Sequence, residues 1–276
     1  MPSGTWDCHT HVFGPYERYP LAEVRTYSPP PASIADLQDH LSALDLDHVV
    51  LVQPNSHGVD TRAMMHALEV FGGRARGVTV LDFEMASADH LRSLREAGIR
   101  GVRLNLHTAG TPDSTVAEAA FDRAVRLLTG TGLHLQLFAS VALLSALAPR
   151  ISESPVPVVV DHMGMALSGA GEIGEVAKLI TDAGCWIKLS APERMGLPPA
   201  DARVHRLVDE YAARAPDRIV WGSDWPHSAL THTRPPDQTE PFRSVDDRSR
   251  LRTMKEWLGT DLYQRMLCDN AHTLYA

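Results

Sequence analysis

His48-Val49-Val50-Leu51-Val52-Gln53-Pro54 is the stretch that decides the fold. Four apolar residues in a row, three of them β-branched and none alternating with a polar partner, make a strand buried on both faces. Strands of that kind sit in parallel sheets covered by helices. Downstream, Asp60 is placed to cap a helix that runs to about Phe71. The same alternation then repeats. Strands are expected over Arg76–Asp82, Ile99–Leu106, His134–Phe138, Val156–Gly164, Cys185–Ser190 and Arg218–Pro226. The helices between them are expected at about Ala86–Ala97, Phe121–Leu128, Val141–Leu147, Glu172–Ala183 and Ala200–Arg214, with two more over Val245–Leu258 and Asp261–Asn270. Upstream, Ser33 opens a helix with Asp36 three residues on, and Ile34, Leu37, Leu41 and Leu44 follow at helical spacing. Before it lies a polar loop, Gly14–Pro31, and before that a first strand, Thr5–Phe13.

Eight short apolar strands alternating with amphipathic helices predict right-handed parallel crossovers closing into a single-domain (β/α)8 barrel over residues 1–276. The length of 276 residues suits this, since such barrels take ~250. An open doubly wound sheet is the rival architecture, and the lack of a glycine-rich phosphate turn after the first strand argues against it. Net charge is −8 with no basic stripe, which speaks against nucleic acid as a partner. No stretch has the ~18 consecutive apolar residues of a membrane span. Cys8, Cys185 and Cys268 are too scattered for a disulfide framework and read as buried thiols. With no basic segment leading into an apolar run near the start, the chain reads as cytoplasmic. Oligomeric state is left open.

In such a barrel the chemistry sits at the carboxyl ends of the strands. The first strand offers His9 and His11, which strict alternation puts on one face with Cys8 and Thr10 on the other. The second offers Gln53, Asn55, Ser56 and His57, the fourth Arg103 and Asn105, and the fifth Gln136. His162 ends the sixth, Lys188, Ser190 and Arg194 belong to the seventh, and Asp224 and His227 to the eighth. Three histidines and an aspartate converging on one mouth are hard to explain by packing alone.

Five segments carry a resemblance that spans Trp6 to about Tyr275. They are Asp7-Cys8-His9-Thr10-His11-Val12-Phe13, Leu51-Val52-Gln53-Pro54, Gly101–Leu106, Val160-Asp161-His162-Met163-Gly164 and Trp221-Gly222-Ser223-Asp224-Trp225-Pro226-His227. Together they resemble the amidohydrolase superfamily, and most of all its branch of pyrone-dicarboxylate lactonases and related lactonases. The resemblance implies a hydrolase of a small anionic lactone in aromatic or sugar-acid catabolism. Members with one zinc typically hold it with the first-strand H-x-H, a fifth-strand histidine and the eighth-strand aspartate. Here the fifth-strand position is Leu137 or Phe138, neither of which ligates zinc. Metal-independent catalysis is therefore expected, as in the lactonases resembled. The alternative cofactor is one zinc or manganese ion on His9, His11 and Asp224, with His162 as a further ligand. A metal-dependent decarboxylase of the same superfamily, with His162 as proton shuttle, is a second reading. A non-catalytic binding barrel is a third.

For the lactonase, Asp224 is the expected base toward water, and His9, His11 and His162 the expected donors to the lactone carbonyl. Arg103 on an apolar strand and Arg194 beyond the seventh are the expected anion contacts, since guanidinium binds carboxylate or sulfonate in two-pronged fashion. Each has a structural rival, an internal ion pair for Arg103 and pairing with Glu193 or solvent for Arg194. Tyr27, Ser56 and His57 are expected to complete that pocket with Asn105. His227 is read either as a substrate contact or as support. Lys188 is read as a structural partner of Asp161. Most of His40, His48, His66, His90, His107, His134, His205, His232 and His272 are read as surface or capping residues.

Overall fold

The computed structural model describes residues 4–107, 113–168, 173–230 and 234–276. The expected helix start at Glu172 and His232 lie outside them. Among the described residues, eight parallel strands follow one another in sheet order, each beside the next in the chain. They are β1 (Trp6–Thr10), β2 (His48–Val52), β3 (Ala75–Thr79), β4 (Ile99–Asn105), β5 (His134–Phe138), β6 (Val158–Val160), β7 (Trp186–Ser190) and β8 (Ile219–Gly222). The ring shuts at its carboxyl end. The Asp224 N–H donates to the His9 carbonyl (2.9 Å), the His11 N–H donates to the Trp225 carbonyl (2.9 Å), and Thr10 bridges Trp225 in parallel fashion. The barrel expected from strand–helix alternation is the one observed.

The outer layer consists of α1 (Ile34–Ala43), α2 (Arg62–Phe71), α3 (Ala88–Glu96), α4 (Ser114–Leu128), α5 (Val141–Ser152), α6 (Ile173–Asp182), α7 (Ala202–Arg214), α8 (Asp247–Gln264) and α9 (Asn270–Tyr275). Helix starts are marked by residues whose oxygens meet otherwise unpaired N–H groups. Ser33 and Asp36 form a full capping box on α1, and Ser87, Asp113, Ser140, Asp201 and Asp246 cap later helices. On α7, Val204, Leu207, Val208 and Tyr211 are buried at spacings of three and four, so one stripe faces the sheet. α5 continues past the expected end at Leu147 with Pro149 inside it. Ile151 on the added turn is buried against the core, which offsets the missing proline N–H.

β1 departs from the alternation expected of it. Trp6 lies opposite His48 and Asp7 opposite Val49, but Thr10 lies opposite Leu51, so three steps on β1 span two on β2. This β-bulge resets the facing of the strand. Cys8 packs inside the barrel with Trp6, Val50, Val52, Val78, Val220 and Tyr275, while His9, one residue on, also faces inward toward Lys188. The apolar cluster fills the amino-terminal half of the barrel, and above it the interior turns polar.

Candidate active site

The site begins where β1 and β8 close on each other. Gly222, the last residue of β8, lies against His9: a Cβ there would come within 2.6 Å of the His9 Cβ and 2.9 Å of its backbone nitrogen. Glycine at 222 therefore permits the position His9 takes. Gly222→Ala is expected to cost about 1–3 kcal/mol through overpacking and to lower turnover by displacing His9, as thermal denaturation and kcat measured together would show. Beyond Gly222, Asp224 has φ +66°, and beyond β6, His162 has φ +50°; both are left-handed conformations that strain an L-residue. Hydrogen bonds hold the turns around them: the His227 N–H donates to the Asp224 carbonyl (2.8 Å), and the Tyr211 hydroxyl donates to the carbonyl of Met163, the residue after His162 (2.9 Å).

The result is one carboxylate oxygen surrounded by imidazoles. Asp224 Oδ1 lies 3.7 Å from His9 Nε2, 3.7 Å from His11 Nε2 and 3.8 Å from His162 Nε2. Asp224 Oδ1 and His9 Nε2 are buried without a hydrogen-bond partner among the described residues. His11 Nδ1 faces the Val52 carbonyl at 2.8 Å. A carbonyl only accepts, so Nδ1 holds a proton, and in the neutral ring Nε2 is a lone pair. Donation from His11 Nε2 to a substrate carbonyl thus requires the charged ring, a condition the sequence did not reveal. Burial, opposed by the nearby Asp161, brings His9 down to about 3, and burial also takes His162 well below its usual value. His162 Nδ1 is 2.9 Å from the Ser190 hydroxyl.

Burial pushes the Asp224 carboxyl up, but the Arg194 guanidinium and the imidazoles outweigh it and hold the group well below the carboxylate range. Arg194 Nε and a terminal nitrogen donate to Asp224 Oδ2 at 2.8 and 2.7 Å. Glu193, the partner considered for Arg194 in the sequence, instead pairs with Arg250. Asp224 is therefore pinned through one oxygen and open at the other.

A second buried carboxylate supports the first group. Asp161 Oδ2 accepts from Arg103 Nε (3.0 Å), an Arg103 terminal nitrogen (2.9 Å) and Gln136 Nε2 (3.0 Å). Asp161 Oδ1 stands 3.3 Å from His9 Nδ1 and 3.7 Å from Lys188 Nζ, and Lys188 donates to Gln136 Oε1 at 2.7 Å. Burial pulls Lys188 down to about 8 against the pull of Asp161. His9 Nδ1 lies between Asp161 Oδ1, an acceptor, and Lys188 Nζ (3.4 Å), a donor, so these two neighbours set which ring nitrogen of His9 carries the proton. Lys188 has the structural role read from the sequence. The anion for which Arg103 was read is Asp161, the internal ion pair weighed beside substrate binding, although Arg103 also lines the cavity.

That cavity, about 40 Å³, is lined by His11, Tyr27, Pro54, Asn55, Arg103, Asn105, Phe138, His162, Arg194, Asp224 and Ser228. Phe138 stands edge-on to His162 with ring centroids 5.0 Å apart, so a phenyl ring takes the end of β5 where a fourth metal ligand was sought. Tyr27 approaches Ser56, Ser228 and Arg194. His57 and His227 are not among the lining residues. His57 Nδ1 faces the Pro20 carbonyl at 3.2 Å and its ring stacks near Phe13, while His227 Nε2 bonds Asp247 Oδ2 at 2.8 Å, the supporting role of the two considered. His134 is no surface residue: it is buried beneath Gly101, brought down to about 3 mainly by burial. Arg243 was missed. It lies in an irregular, proline-rich loop with no periodicity to mark it, yet reaches within 3.7 Å of Asp224 Oδ2.

The unpartnered His9 Nε2 and Asp224 Oδ1, with the His11 Nε2 lone pair, lie close enough together to hold a divalent ion. Three protein ligands with an open position is the pattern of catalytic rather than structural metal sites. Among the described residues no helix is long and apolar enough to cross a membrane.

Similarity to known proteins follows the same outline. A 2-pyrone-4,6-dicarboxylate hydrolase of Comamonas testosteroni is 34% identical over 289 residues, covering 100% of this chain and 91% of that protein. A 4-sulfomuconolactone hydrolase of Rhizobium radiobacter is 31% identical over 286 residues, with the same coverage of 100% and 91%. The crystal structure of a Pseudomonas putida protein described as a 2-pyrone-4,6-dicarboxylic acid hydrolase superposes with a TM-score of 0.80 at 28% identity, covering 100% and 98% of the two chains. The amidohydrolase family profile matches residues 6–276, from β1 through the last helix, and the chain belongs to that family.

Proposed function

We propose that this protein hydrolyses a small lactone carrying a carboxylate or sulfonate, with Asp224 as the base. The observation that carries the reading is the asymmetry of Asp224: Oδ2 is held by Arg194, while Oδ1 is buried, without a donor, and faces three imidazoles. Oδ1 is the acceptor for a proton of water, whose oxygen attacks the lactone carbonyl. The oxyanion forms among His9, His11 and His162, of which His11 donates to it only as the charged ring. The ring C–O bond then breaks, and the leaving oxygen departs as an enolate that takes up the proton from Asp224. A carboxylate is a weak base at neutral pH, which suffices for an activated ester such as a pyrone or enol lactone and less readily for an amide.

The relatives named as pyrone-dicarboxylate and sulfomuconolactone hydrolases support the substrate class, and the guanidinium of Arg194 supports its anionic charge. Turnover of 2-pyrone-4,6-dicarboxylate, muconolactone, 4-sulfomuconolactone and aldonolactones, followed by ring absorbance or proton release, tests it. Hydrolysis of at least one anionic lactone is expected. A purified, folded protein inert toward the whole set would overturn the reading.

A divalent ion, where bound, would be held by His9, His11 and Asp224 and would supply Lewis-acid polarisation of the carbonyl. Phe138 at the end of β5 favours the metal-independent form, whereas the convergence of His9, His11 and Asp224 favours the ion. Chelation followed by metal analysis and assay separates the two. Unchanged kcat in the metal-stripped enzyme is expected; loss of activity that zinc or manganese restores would assign the ion.

A further inference from the structure

Three of the five N–H donors of Arg194 are committed in this structure. Its guanidinium donates twice to Asp224 Oδ2 and once to the Ser228 hydroxyl, at 3.1 Å. The cavity beside it, about 40 Å³, is far too small for a six-membered ring, since an apolar cavity that accepts benzene measures roughly 150 Å³. Substrate entry therefore requires lining side chains to move, and Arg194 is the one whose head group a substrate anion can reclaim. Release of Arg194 removes both donors from Asp224 Oδ2. A buried carboxylate oxygen stripped of its partner is strongly destabilised unless another donor arrives.

Arg243 is in place to be that donor. One of its terminal nitrogens is buried, lacks a hydrogen-bond partner among the described residues and stands 3.7 Å from the same Asp224 Oδ2. Its Nε is anchored on the Ser228 carbonyl at 3.0 Å, and its other terminal nitrogen lies 4.0 Å from Glu193. Closing to a hydrogen bond requires a movement of about 1 Å. We propose that Arg194 exchanges Asp224 for the anionic group of the substrate and that Arg243 takes over Asp224 Oδ2, keeping Oδ1 aimed at the attacking water. Arg243 is thus a positioning residue, and the arginine–carboxylate pair forms a latch that an anionic ligand opens. Burial and the neighbouring Arg194 charge both act against the Arg243 guanidinium, so departure of Arg194 removes one cost of keeping it charged.

The exchange rests on the lactonase reading for its substrate, so its test uses an unreactive anion, isophthalate, which offers two carboxylates on a six-membered ring. In a crystal structure of the wild-type enzyme with isophthalate, Arg194 is expected on a ligand carboxylate and Arg243 in hydrogen-bond contact with Asp224. Calorimetry should show isophthalate binding about tenfold weaker to Arg243→Gln. With the lactone substrate that variant should also lose kcat, while Arg243→Lys, which keeps the charge, recovers most of it. A purely structural role would not produce that charge-dependent rescue. Arg194 still bonded to Asp224 in the complex overturns the exchange, as does wild-type kcat and isophthalate affinity in Arg243→Gln. Should Arg243→Gln fail to fold, the wild-type complex and Arg243→Lys still decide. An enzyme inert to every lactone whose Arg194 nevertheless moves onto isophthalate overturns the lactonase reading and leaves the exchange standing.

Discussion

Asp224→Asn is expected to lower kcat by ~10³-fold, the scale of a lost general base, with KM changed much less. The amide cannot accept and return a proton as the carboxylate does. Its oxygen still accepts from Arg194, which is itself partly exposed and can be hydrated, so the circular-dichroism spectrum should be retained. Because the imidazoles and Arg194 remain to receive the substrate, the defect should fall on kcat rather than on binding. Steady-state kinetics on a hydrolysed lactone, alongside a melting curve, checks it. Wild-type turnover in a folded Asp224→Asn enzyme would remove Asp224 as the base.

Asp161→Ala should be the most damaging substitution for stability. Asp161 is the anion for Arg103 and Lys188, buried charges drawn from β4 and β7, and it faces His9 as well. Removing one partner of a buried ion pair costs about 3–5 kcal/mol, which corresponds to a fall in Tm on the order of 10 °C. Part of the loss is recoverable by relieving the orphaned charge, so adding Arg103→Met should restore some of the melting temperature. An unaltered Tm in Asp161→Ala would mean that the interior charges are hydrated and not paired. Activity should fall together with stability, because Asp161 and Lys188 together flank His9 Nδ1.

The two carboxylates were unequally legible in the sequence. Asp224 ends an apolar strand and belongs to a recognisable segment, so its convergence with His9, His11 and His162 followed once the barrel was inferred. Asp161 immediately precedes His162, but its partners stand 58, 25, 27 and 152 positions away at Arg103, Gln136, Lys188 and His9, and no local periodicity links them. Arg103 illustrates the consequence: a buried arginine announces that an anion must be near, but not whether that anion belongs to the protein or to the substrate. The bulge in β1 was hidden for a related reason. Side-chain alternation is a property of one strand, whereas a bulge is a mismatch in register between two.

By itself the sequence determined the barrel, because continuous apolar strands, capped amphipathic helices and their strict alternation are local patterns with one economical closure. It also placed His9, His11, His162 and Asp224 among the polar strand ends at the mouth, a wider set that included His57 and His227, which the structure turns away from the cavity. Only the tertiary structure decided how those residues are charged and aimed. The tautomer of His11 depends on the Val52 carbonyl, Asp224 is divided between Arg194 and the imidazoles, and Arg243 arrives from an irregular loop. Protonation and orientation are set by neighbours within a few ångströms in space, and those neighbours come from strands and loops far apart in the chain.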